Sequence, residues 1–164
     1  MVWLASEVMF FAGLFAAYLL LASEQARWPP EGAELDVAYA AGLTAVLVLS
    51  SVTIERAVRA AAGTGQAARW LAVTLILALG FLAGQAVELS RLSFTIASHT
   101  YGSAFFTLVG FHGLHVAGGA ALMAFALPKI RRGQGHRLLD ALSRYWHFVD
   151  AVWIGVFVLV YVVQ

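Results

Sequence analysis

The stretch that decides the fold is YGSAFFTLVGFHGLHVAGG, Tyr101 to Gly119. It is apolar and long enough to cross a bilayer, yet it holds His112 and His115 near its centre. Three residues apart, the two imidazoles share one face of a helix. Gly110, Gly113, Gly118 and Gly119 surround them, and small residues let neighbouring helices approach closely. Ionisable side chains within a membrane face the inside of a bundle and mark functional candidates. Two readings stay open at this point: hydrogen bonds that hold helices together, or a chemical role.

The remainder of the chain has the same character. Of its 164 residues 62% are hydrophobic and 12% charged, and the mean hydropathy is +0.83. A soluble domain of this size cannot hide so much apolar surface. There is no cysteine, which excludes disulfides and thiolate metal sites. No basic patch is interleaved with aromatics, so nucleic acid is not an expected partner. The first apolar run begins at residue 2 without a basic leader and reads as a spanning helix, not as a cleaved signal.

Five runs meet the length of a transmembrane helix, at about 2–22, 37–59, 69–89, 101–127 and 141–163. Pro29, Pro30 and Gly32 interrupt the chain after the first, and Gly63 to Gly65 after the second. Pro128 and KIRRGQGHR form the fourth connection. The expected fold is all-α: one five-helix transmembrane bundle over residues 1–164. Eight of the ten basic residues (Arg56, Arg59, Arg69, Lys129, Arg131, Arg132, Arg137 and Arg144) fall around the second and fourth connections. The positive-inside rule puts those connections and the N-terminus inside, and the C-terminus outside. Lys129, Arg131 and Arg132 are then expected at the inner headgroup level, holding anionic lipid.

Glu7 is the one carboxylate of the first helix, and it must be protonated, paired or within reach of the interface. In RYWHFVDAVW, His147 and Asp150 share a face. They are either a self-satisfied structural pair or a proton-handling one. Trp146 and Trp153 read as packing or interfacial anchors, and Trp3, Trp28 and Trp70 as an aromatic belt. Gln85 and Glu88, at the outer end of the third helix, are expected in solvent or among headgroups. A haem with two imidazoles would need His147 opposite the fourth helix. Zinc would need convergence of His115, His147 and Asp150, and nothing local enforces it. No metal, catalytic residue or cofactor is therefore expected on this chain.

At 1.5 Å per residue, counted from the inner end of each helix, Glu7 lies roughly 8 Å deep, His147 roughly 6 Å and Asp150 roughly 10 Å. His115 lies roughly 18 Å deep and His112 roughly 22 Å. Tilt can close the gap to His115. The expectation is a buried polar cluster of Glu7 and His115, with His112 farther away and His147 and Asp150 as nearby or competing members.

Five motifs in order extend over nearly the whole chain: SEVMFF (6–11), WPP (28–30), FTIASHTYGSAFF (94–106), GFHGLHVAGG (110–119) and YWHFVDAVW (145–153). Together they resemble subunit III of the haem-copper respiratory oxidases, typified by cytochrome c oxidase. The chain looks like the last five helices of the longer, seven-helix members and lacks the two that complete their lipid-filled cleft. The resemblance implies an accessory subunit without a redox centre in a bacterial cytoplasmic membrane. It implies packing on oxidase subunit I beside the other oxidase subunits, which carry haem and copper, and phospholipid binding. It also implies support of proton uptake. Glu7 matches the family's buried, carbodiimide-sensitive glutamate, and Lys129 a basic residue that contacts lipid phosphate. Three alternatives are an accessory subunit of a nitric-oxide reductase, a freestanding proton channel or carrier built on Glu7, His115, His147 and Asp150, and a haem-binding electron carrier.

Overall fold

A computed structural model describes residues 2–60 and 65–163; the expected break at Gly63 and Thr64 lies outside the described residues. Five helices account for most of the described chain: α1 Val2–Ser23, α2 Val37–Arg59, α3 Gln66–Arg91, α4 Thr100–Arg131 and α5 His136–Phe157. All five are long and apolar enough to cross a membrane. The chain is an integral membrane protein. In hydrocarbon no water is available for backbone amides, so each span must close its own hydrogen bonds, and helices do so.

Polar residues at the ends fix where the helices begin. The Asp36 side chain accepts from Tyr39 N at 2.9 Å and caps α2. His99 Nδ1 accepts from Gly102 N at 2.8 Å and caps α4. Each satisfies a first-turn amide that would otherwise lack a partner. Gly133 (φ +72°) and Gly135 (φ +87°) make the turn into α5, a conformation that glycine adopts without steric cost.

Two boundaries differ from expectation. Helix α4 runs through Pro128 to Arg131, whereas the proline was expected to lie in the connection. A proline is tolerated in a spanning helix because neighbouring helices and local adjustment can satisfy the freed carbonyl. Helix α5 starts at His136, ahead of its apolar run, because its first turns pack Leu139 and Leu142 into the core. Beyond Phe157 a π-helical turn, Val158–Val162, keeps Val160 and Tyr161 buried.

Helices α2, α3, α4 and α5 form a ring in which each packs on the next and α5 closes back on α2. Helix α1 lies outside this ring, mainly against α4 and less against α5. Only 11% of its most apolar stretch is buried, against 50% for the last helix, which makes α1 a peripheral helix. The core is aromatic and tight: Phe81, Phe105, Trp146 and Trp153 are fully buried. Both tryptophans are packing residues whose indoles donate from α5 to α2, Trp146 Nε1 to Ser50 Oγ at 2.8 Å and Trp153 Nε1 to Thr44 Oγ1 at 2.9 Å.

The glycines of the deciding stretch have different uses. A Cβ at Gly119 would lie 2.8 Å from Trp146 Cζ3 and 3.1 Å from Tyr145 Cε1, while one at Gly110 would meet nothing within 4 Å. Gly119→Ala is therefore expected to lower stability by ~1–3 kcal/mol through overpacking. Gly110→Ala should be neutral or stabilising by up to ~1 kcal/mol. Thermal unfolding of the two variants in detergent measures the contrast.

Candidate functional site

The ionisable side chains of the spans fall into separate groups, and the first joins α1 to α4. Glu7 Oε2 lies 2.9 Å from His115 Nε2. The other ring nitrogen, Nδ1, is 2.6 Å from the Phe111 carbonyl oxygen one turn back. That carbonyl can only accept, so Nδ1 carries a proton and the imidazole is oriented with Nε2 toward the carboxylate. Phe11 packs on the imidazole edge-on at 4.8 Å, and Phe10 stacks on it at 6.3 Å. Tyr145 of α5 donates to the His115 carbonyl at 2.9 Å, so three helices meet at this residue. Glu7 and His115 are about one-fifth exposed; the pair sits at the margin of the bundle, not at its centre.

The second group joins α2 to α5. His147 and Asp150 do not bond to each other; Ser51 of α2 stands between them. The Ser51 hydroxyl donates to Asp150 Oδ2 and lies 3.1 Å from His147 Nδ1. His147 Nε2 is 3.6 Å from Glu55 Oε2, and Glu55 also holds Arg59 Nε at 3.2 Å. Asp150 is buried, whereas Glu55 and His147 are open to the surface. The chain of polar groups thus leads from the core to the end of α2. Sequence reasoning missed Ser51 and Glu55. The signal available was the helical spacing of Ser51 and Glu55, which puts them on one face.

The expected single cluster is therefore two. Among the described residues no hydrogen bond or ion pair connects Glu7 and His115 with His147 and Asp150. His112 joins neither. It is fully buried between Phe81 (5.9 Å) and Trp153 (4.8 Å), with no hydrogen-bond partner at either ring nitrogen. Gln85 and Glu88 correct the reading of an exposed outer end: they are 4% and 5% exposed. Gln85 lies against α4, where a Cβ at Gly113 would stand 3.1 Å from Gln85 Oε1, and Glu88 lies near Tyr161. The glycine makes room for the amide. Lys129, Arg131 and Arg132 are exposed at the end of α4, with Lys129 Nζ 4.2 Å over the Phe125 ring. Among the described residues no three His, Asp or Glu side chains converge as a metal site would require.

The sequence that builds this site has known relatives. Residues 1–164 match the family described as cytochrome c oxidase subunit III. The chain belongs to that family. It is 43% identical to the probable cytochrome c oxidase subunit 3 of Nocardia farcinica, over 99% of this chain and 85% of that protein. It is 39% identical to cytochrome c oxidase subunit 3 of Corynebacterium diphtheriae, with the same coverage. The Synechocystis protein of that name is 36% identical over 97% of this chain and 72% of its own length. Membership of the subunit III family makes this an accessory subunit of a haem-copper oxidase, within a complex of other subunits.

The two polar groups of this subunit III chain share no bond, so they are expected to contribute separately to stability. Glu7→Gln and His115→Gln share one bond, so their double-mutant cycle should give a coupling of about 0.5–3 kcal/mol. Glu7→Gln and Asp150→Asn lie in different groups and should add to within ~0.5 kcal/mol. Reversible unfolding of the four variants in mixed micelles supplies both numbers.

Proposed function

We propose that this chain is a redox-centre-free scaffold subunit that packs on oxidase subunit I in a bacterial cytoplasmic membrane. It braces the catalytic subunit and sustains proton uptake there during turnover. The observation that carries this reading is the use to which these ionisable groups of the spans are put. Glu7 with His115, and Asp150 with Ser51 and His147, each connect one helix to another. Groups spent on helix-to-helix bonds hold an architecture, and catalysis then falls to the neighbouring subunit. The freestanding channel and the haem carrier draw no comparable support from the geometry.

The same reading places the α2–α3 and α4–α5 connections on the inner side. Their basic residues come together in the fold, since Arg69 and Arg131 line one cleft. A strip of positive charge at one end of the bundle is what the inner surface of a membrane selects. Lys129, Arg131 and Arg132 belong to this strip and hold anionic phospholipid.

Gentle purification through a tag on this chain is expected to bring with it a haem-bearing subunit I. Deleting the chain is expected to leave the initial rate of oxygen reduction but to shorten the enzyme's active lifetime. A cysteine at Glu34 should react with an impermeant thiol reagent in intact cells, and one at Gln134 should not. Purification of the chain alone, with proton flux through it in vesicles, would support the channel and refute the scaffold.

A further inference from the structure

Between α2 and α5 lies a cleft of about 520 Å³, lined in part by the second polar group. Helix α2 supplies all of its lining but His147. Along α2 the residue types change in a set order. Val48 and Val52, one turn apart and each 45% exposed, make the membrane-embedded end. Ser51 and His147, 3.1 Å apart, are the polar groups at the next level; the Ser51 hydroxyl donates to Asp150, which leaves its oxygen and the imidazole facing the cleft. Arg56 and Arg59 close the far end, roughly 6 and 10 Å beyond Val52 along the helix axis.

Apolar, then hydrogen-bonding, then cationic is also the order of acyl chain, glycerol ester and phosphate in a glycerophospholipid. The two arginines are held in different ways. The Arg56 guanidinium lies 4.9 Å over the Trp70 ring. Stacking fixes its plane and leaves the in-plane N–H groups free for a planar or tetrahedral anion. Arg59 gives its Nε to Glu55 at 3.2 Å, and its side chain is 78% exposed. Glu55 is the one carboxylate in the cleft. Two guanidinium groups against one carboxylate leave a positive excess, enough for one phosphate diester.

We propose that this cleft binds a glycerophospholipid with a net-negative headgroup, its phosphate between Arg56 and Arg59 and one acyl chain along Val48 and Val52. The site lies on α2 and α5, apart from the basic residues at the end of α4. It does not depend on what the oxidase assembly does.

The test uses the purified complex in phosphatidylcholine nanodiscs doped with a photoactivatable lipid whose diazirine is near the acyl ester. One preparation carries the probe on phosphatidylglycerol and the other on phosphatidylcholine. Crosslinked peptides are then quantified by mass spectrometry. The glycerol lipid is expected to label the segment 48–52 several-fold more than the choline lipid, and inorganic phosphate should not displace it. The charge-neutralising variants Arg56→Gln and Arg59→Gln should each reduce labelling roughly fivefold. Equal labelling by the two lipids in the unaltered complex would overturn the proposal without recourse to a variant. Displacement by inorganic phosphate would overturn it in favour of a free-anion site. Crosslinks from 48–52 to another polypeptide in place of lipid would make the cleft a subunit interface. Labelling unchanged in the doubly substituted chain would remove the arginines from the site.

Discussion

A polar group in hydrocarbon has no water to turn to, and the structure is organised by that constraint. Each helix satisfies its own backbone, which leaves the side chains to find partners on other helices. Here they do so in a repeated way. Ser50 accepts from Trp146, Thr44 from Trp153, Thr53 meets Thr74 at 2.8 Å, and Tyr39 donates to the Gly84 carbonyl at 3.0 Å. Lipid tails are as apolar as leucine, so apolar burial alone gives little preference for one helix arrangement over another. Packing shape and these directional bonds therefore select the ring of α2 to α5. Helix α1, the least buried, is held to that ring at Glu7 by a bond to His115.

The same constraint explains which parts of the fold were legible in the sequence. Span number and position follow from runs of apolar residues, because the bilayer sets one length for all of them. The ends of α4 and α5 were less legible. Pro128 can stay helical where neighbours complete the bonding, and the first turns of α5 are polar in sequence but carry Leu139 and Leu142 into the core. Depth along a helix was legible at 1.5 Å per residue, but rotation about its axis was misread at the end of α3. Gln85 and Glu88 stand near the end of α3, as their positions dictate, yet they face inward. The signal was their spacing: they continue the series Leu71, Thr74, Ala78 and Phe81 along one buried face of α3, where Gly113 leaves space for Gln85.

The polar groups teach the same lesson at finer scale. Counting residues put Glu7 closer in depth to Asp150 and His147 than to His115, yet its bond is to His115. Which helices are neighbours decides the partner, and α1 lies against α4. In the second group a serine of no apparent note separates two residues that a helical face had paired. Ser51 lies between His147 and Asp150 because α2 presents it there. In this chain of the subunit III family, Glu7 and Asp150 each bond to a side chain of another helix.

The Glu7–His115 bond sets how the peripheral helix sits on the ring, beside the aromatic contacts of Phe11 and Tyr18. Spin labels at Leu20 on α1 and Leu114 on α4, both exposed, report the distance between the two helices by pulsed electron resonance. A single narrow distribution is predicted for the unaltered chain, and a broadened or shifted one for His115→Phe, which keeps the ring's bulk but removes its hydrogen bond. An unchanged distribution in His115→Phe would contradict the claim and assign the attachment of α1 to packing alone.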